Sequence, residues 1–322
     1  MLKWTCLFYV RESILEIFNK KSLTAEEQIE LLISRGLKVT DKQSAVDTIK
    51  RIGYYHLSSY MRIYQTGEQH HFLQDISFKD IYNLYQFDQE LRHITFKAIE
   101  KIEIAYRVAI SNVMCKKLGS HWFEYPKAFK DESCIEKCKE IITKEIKKKD
   151  DEYAETFISN YYNKYSHPEL PPFWMSVETF TIGSLNKLFQ LINPNYKTDI
   201  IRYFNITEDA KFIRFSNWLY ALSVVRNICA HHSRLFNRIF RIAPTRHIKI
   251  VELRNSNNNT FYYIALVINY YLTTMSNDIS FEHDLRLLFD KYGDTCKTKM
   301  GFPTDWTNFT ITRIPKKQTI KV

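Results

Sequence analysis

FKDIYNLYQFDQELRHITFKAIEKIEIAYRVAISNVMCKKL, residues 78–118, carries apolar residues at helical spacing, with Leu91, Ile94, Ala98, Ile102, Ala105 and Ala109 on one side. No glycine or proline interrupts it, and Gly119 follows with the backbone freedom that closes a helix. The stretch therefore predicts one long helix from about Phe78 to Leu118. A helix of that length needs other helices to cover its apolar side. The composition supplies them, because 7 Gly and 8 Pro in 322 residues are too few for the turns of an all-β sandwich or barrel. The expected fold is all-α. On the other side of the same helix, Glu100, Glu103 and Arg107 meet at i, i+3 and i+4 spacings and read as an intrahelical ion pair.

Working toward the N-terminus, Thr24 and Glu27 form a capping pair ahead of Ile29, Leu32 and Ile33, and Gly36 stops that helix. Asp41 caps a second helix through Ala45, Val46, Ile49 and Ile52, ended by Gly53. The two make a small helical hairpin, followed by a hydrophilic patch at Thr66-Gly67-Glu68. On the C-terminal side, Pro168-Glu169-Leu170-Pro171-Pro172 breaks helix before Phe173-Trp174 and a helix from about Ser184 to Leu191. Another helix begins near Glu208 or later and is expected to run through a basic segment, ending by Pro244. Asn255-Ser256-Asn257-Asn258-Asn259 is a polar loop before an aromatic helix from about Phe261. The tail after Gly301 has no clear pattern. These elements group as an N-terminal helical lobe over 1–77, a core over 78–250, and a C-terminal helix and tail over 251–322 packing on that core.

Cys6, Cys115, Cys134, Cys138, Cys229 and Cys296 are scattered, and Cys134 with Cys138 makes no zinc-ligand spacing. A reducing, cytoplasmic setting is expected, with no metal and no cofactor. Met1 to Val10 meets Arg11-Glu12 too soon for a signal peptide. The apolar run Phe261 to Leu272 is shorter than a membrane span, so it reads as a buried helix and no membrane partner is expected.

The net charge is +10, and residues 210–251 hold most of it: Lys211, Arg214, Arg226, Arg234, Arg238, Arg241, Arg246 and Lys249, with no acid among them. By contrast, Lys137 to Lys149 is interleaved with Glu136, Glu140 and Glu145 and reads as a solvated helix face. An uncompensated basic stretch suits a polyanion such as nucleic acid. Advancing about 100° per residue from Arg226 places Asn227, His231, Arg234, Asn237 and Arg238 on one side of the basic helix. Leu235, Ile228, Ile239, Phe236, Cys229 and Phe240 fall on the other, and His232 points into that apolar arc. His231 is thus the reactive candidate and His232 a supporting residue.

RNA carries its own nucleophile, the 2′-hydroxyl, so cleavage needs a base, an acid and cations for the phosphorane, with no metal required. Histidine serves both proton roles near neutral pH, and arginine's fork of donors matches phosphate oxygens. Asn227 can hold the imidazole or touch the phosphate. One helix offers one such histidine, so a homodimer with a composite site is expected. The competing reading is a non-catalytic RNA-binding module that assembles with a structured RNA; a protein-binding scaffold leaves the acid-free stretch unexplained.

Several stretches resemble the Abi-like proteins of bacterial abortive infection (the AbiD/AbiF group), whose nuclease core belongs to the HEPN superfamily. The resemblance rests on Ser22-Leu23-Thr24 with Glu27-Gln28, Arg51 to Leu57, Phe87-Asp88 with Leu91-Arg92, and Ala98 to Ala105 with Arg107. It continues through Pro172-Phe173-Trp174 and Gly183-Ser184-Leu185, and is most specific at Arg226-Asn227-Ile228-Cys229-Ala230-His231-His232-Ser233-Arg234-Leu235-Phe236-Asn237-Arg238. It implies a HEPN-like helical bundle with an N-terminal helical extension. It also implies an antiphage, toxin-like endoribonuclease, metal-independent and dimeric, in some members restrained by a small noncoding antitoxin RNA. The resemblance puts Arg226, Asn227 and His231 in the catalytic positions. Lys211, Arg214, Arg234, Asn237, Arg238 and Arg241 are then candidate RNA contacts, and His232, Glu103 and Arg107 candidate supports.

Overall fold

The computed structural model describes residues 21–147, 156–206, 211–247 and 249–309. Met1 to Glu12 with Cys6, Asp150-Asp151-Glu152, Glu208 with Asp209, and the tail beyond Phe309 lie outside the described residues. The chain divides into two compact units, Met1–Asn83 and Leu84–Val322. Its fold is all-α, as the glycine and proline content implies. The strands named among the described residues are the two-residue pair β1 (Gln65–Thr66) and β2 (His71–Phe72).

In the first unit, α1 (Ala25–Ser34) starts on the expected capping box: the Glu27 N–H donates to Thr24 Oγ1, and the Thr24 N–H donates to Glu27 Oε2 at 2.8 Å. Asp41 accepts from the Ser44 N–H at 3.0 Å to start α2 (Lys42–Ile52). Gly53, at φ 90°, turns the chain directly into α3 (Tyr54–Met61). No polar linker separates α3 from α2 in the sequence, since Gly53 both ends one and starts the other. The hydrophilic patch at Gly67 is the turn of an antiparallel hairpin, with Gln65 opposite Phe72.

α4 (Phe78–Leu118) begins in the first unit and runs through the second as one helix, as its spacing predicts. Leu91, Ala98, Ile102 and Ala109 are buried, while Ile94 and Ala105 are half-buried at the edges of the stripe. Around it come α5 (Cys134–Lys147), α6 (Thr156–Lys164), the short α7 (Phe173–Ser176), α8 (Ile182–Leu191), α9 (Pro194–Tyr203) and α10 (Phe212–Ala230). The chain continues through α11 (Val251–Asn255), α12 (Phe261–Ser276), α13 (Ser280–Tyr292) and α14 (Asp294–Lys299). The apolar run in α12 is buried from Phe261 to Leu272. Among the described residues no helix is long and apolar enough to cross a membrane.

An aromatic cluster locks α4, α8, α10 and α12 together at the end of α9. The Phe215 ring lies 5.7 Å from Tyr106, 5.5 Å from Phe189, 5.2 Å from Phe204 and 5.6 Å from Tyr271, mostly edge-to-face. Such pairs add to simple area burial. Phe215→Leu keeps most of the volume but loses the ring contacts, and is expected to cost about 1 to 2 kcal/mol in urea unfolding.

Candidate functional site at the end of helix α10

α10 is shorter than the basic segment. It ends at Ala230, not near Pro244, and His231 is its C-cap. His232 takes the left-handed conformation at φ 55°, its N–H donates to the Cys229 carbonyl at 3.1 Å, and the Ser233 N–H donates to the Ile228 carbonyl at 3.0 Å. This is a Schellman closure with histidine where glycine is usual; histidine is among the non-glycine residues enriched in that conformation. Nothing in the side-chain periodicity marks the stop, because Leu235 and Phe236 continue an apolar pattern beyond it.

What seats the chain beyond the helix is a carboxylate. Asp88, fully buried on α4, accepts from the Phe236 N–H at 2.6 Å and from the Leu235 N–H at 3.1 Å, and is paired with buried Arg92. Leu235 and Phe236 are themselves buried, Phe236 edge-on to Phe87 with ring centres 5.6 Å apart. The loop is therefore anchored at both ends of a short span, with Arg234 half-buried before it and Asn237 and Arg238 exposed after it. Asp88 was legible only as part of a family-like string, although an acid–base pair at i, i+4 inside an apolar stripe is itself a sign of a buried ion pair.

Two readings from the extended helix change accordingly. His232 is exposed rather than turned into the core. Arg234, Asn237, Arg238 and Arg241 stand on the post-helical loop, not on a continuous helix face, with Asn237 left-handed at φ 49°. Arg238 and Arg241 instead border a cavity of about 350 Å³ alongside Val224 and Ile228.

Asn227 and His231, one turn apart, are both exposed at the end of α10. Arg226 turns toward α4: its guanidinium lies over the Phe96 ring at 5.4 Å, and its Nε is 3.6 Å from Glu103 Oε2. Some 30% of its side chain remains exposed. Arg107 lies 3.8 Å from the same carboxylate, donates to Glu178 at 3.2 Å and to the Phe180 carbonyl at 2.8 Å. It thereby ties α4 to the segment that leads into α8. Glu103 also accepts from the Ile182 N–H at the start of α8, where the helix dipole favours a negative charge.

Burial nonetheless pushes the Glu103 carboxyl above the ordinary glutamate range, and nearby Glu100 adds to it; Arg226, Arg107 and the Ile182 N–H only partly oppose this. The distances explain the outcome, since at 3.6 and 3.8 Å neither arginine makes a proper hydrogen bond to the carboxylate. With its folded pKa raised, Glu103 favours the fold most while protonated, and that contribution is lost as pH rises through the folded pKa. Glu103→Gln keeps the shape without the charge. Its melting temperature relative to wild type is expected to improve as pH rises from 4.5 to 7, in paired thermal melts. The Cys229 thiol, buried beside Asp88, is pushed up to about 12 chiefly by burial, which makes it a packing group rather than a nucleophile.

Lys211 and Arg214 are not brought to this end. Lys211 is the N-cap of α10, and Arg214 is buried in a recess with Trp218 and His247, so it does not offer the surface phosphate contact its charge suggests. At 1.5 Å per residue, Arg214 lies about 18 Å along the axis from Arg226.

A family model described as Abi-like protein matches residues 47–237. The chain belongs to the Abi-like protein family. No curated protein and no solved structure matches the chain. Membership points to abortive-infection defence. In this Abi-like chain the matched span holds Asp88, Glu103, Arg107, Arg226, Asn227 and His231 and stops at Asn237; Arg238 and Arg241 follow it.

Proposed function

We propose that the chain is a HEPN-type, metal-independent endoribonuclease that acts as a toxin in abortive infection, in the cytoplasm, as a homodimer restrained by a small noncoding RNA. The observation that carries this reading is the end of α10, where exposed Asn227 and His231 stand beside an arginine backed by Glu103 and Phe96. His231 takes the proton of the 2′-hydroxyl, and the 2′-oxygen attacks phosphorus. The bond to the 5′-oxygen breaks, leaving a cyclic phosphate, and His231 of the partner subunit returns a proton to the departing oxygen. Arg226 offsets the charge of the phosphorane from the exposed part of its side chain. The loop arginines Arg234, Arg238 and Arg241 hold flanking phosphates and serve the restraining RNA as well. For two copies to share one site, the two-fold axis has to pass near the C-terminal end of α10, because Lys211 at its other end is about 30 Å away.

The test is incubation of the purified protein with RNA in EDTA, after co-purifying nucleic acid has been stripped with high salt. Cleavage to fragments with cyclic-phosphate ends is expected, with activity per chain falling on dilution below the dimer range. RNA left intact by the stripped protein would overturn the nuclease reading. The approach of Arg226 to Glu103 favours one alternative, in which this arginine is partly committed to the fold and the basic loop only binds RNA. That binder retains steep salt dependence but never shortens the RNA.

A further inference from the structure

Lys197 on α9 is buried, with 6% of its surface exposed, and none of the carboxylates among the described residues pairs with it. Its Nζ donates to the Gln190 carbonyl in the last turn of α8 at 3.1 Å and lies 5.5 Å from the Phe189 ring centre and 5.3 Å from that of Phe212. The carbonyl and the two ring faces favour a cation. They use only part of an ammonium that has three donors. Burial still dominates and holds the amine below the ordinary lysine range, with Lys130 nearby pushing the same way. Other lysines of this unit that reach across helices meet an acid: Lys101 meets Asp278 and Lys97 meets Asp284.

Lys197 lines a cavity of about 340 Å³ between α8, α9 and the first turns of α10, together with Gln190, Phe189 and Phe212, the groups around its Nζ. Phe189, Phe212, Ile213 and Tyr220 give it apolar walls, and Ser216 and Asn217 give it polar ones. That size and lining suit a small organic molecule, and the buried charge names the group such a molecule has to carry. A buried ammonium with no counter-ion lowers stability, so its place beside an open cavity is explained when the counter-ion arrives with a ligand.

We propose that this cavity binds a small organic anion, a flat or apolar body bearing one carboxylate, sulfonate or phosphate, with Lys197 as the counter-ion. The site is separate from the His231 end of α10, since Tyr220 and His231 are about 16 Å apart along the axis. It does not depend on the chain being a nuclease.

The probe is anilinonaphthalene sulfonate, titrated by fluorescence into the full-length protein, with phenylnaphthylamine as the same body lacking the anion. One saturable site is expected for the sulfonate, weakened about ten-fold or more by Lys197→Met. The neutral body is expected to bind wild type about ten-fold less tightly and to be indifferent to the substitution. Lys197→Met should melt at or above wild type, because it removes a buried charge. Equal sulfonate affinity in the folded variant and wild type overturns the proposal. So does a neutral probe that binds wild type as tightly as the sulfonate, a comparison that needs no variant.

Discussion

His231→Ala is expected to lower the rate of RNA cleavage by roughly 10² to 10⁴-fold, the range for loss of a positioned general base or acid. His231 is exposed and caps α10 through its backbone N–H, which donates to the Asn227 carbonyl at 2.9 Å and survives the substitution. Thermal unfolding should therefore be unchanged, separating lost chemistry from lost structure. The proposed homodimer adds a sharper expectation. If each active centre uses two copies of His231, as proposed, mixing wild type with an excess of His231→Ala chains should reduce activity below simple dilution. Cleavage by His231→Ala at the wild-type rate would move the reaction away from this residue, and His232, exposed next to it, would be tested next.

Asp88→Ala is expected to destabilise the second unit by about 3 to 5 kcal/mol, the cost of removing one member of a buried ion pair. Arg92 loses its ion pair with Asp88, and the Leu235 and Phe236 N–H groups lose this acceptor within the core. Because those N–H groups seat the loop after His231, activity should fall even where the variant stays folded. Asp88→Asn retains an acceptor oxygen and is expected to fall between wild type and alanine. Urea unfolding with a parallel RNA-cleavage assay checks both. A cost under about 1 kcal/mol for Asp88→Ala would mean that the loop holds itself through Leu235 and Phe236 alone.

Local signals were legible in proportion to how local their cause is. The capping residues Thr24 and Asp41 start their helices where the chain's first fifty residues imply. α4 spans the predicted 78–118, because its period and its closing glycine are properties of contiguous residues. α8 begins two residues earlier than expected, since Thr181 rather than a later residue supplies the cap. In the candidate site, Arg226, Asn227 and His231 could be chosen from spacing and chemistry. The partners of Arg226 were harder: Glu103 was visible as a charged side of α4, but its place beside Arg226, against Phe96 and the start of α8, depends on how three helices pack.

By itself, then, the sequence determined an all-helical chain, a basic stretch free of acids, and the one-turn spacing from Asn227 to His231. Only the tertiary structure decided that α10 stops at His231, that His232 is exposed and that Arg214 is buried. The physical reason is distance along the chain. The chain beyond the stop is seated by Asp88, which reaches backbone N–H groups 147 and 148 residues away, and no periodicity within the basic segment carries information about that carboxylate.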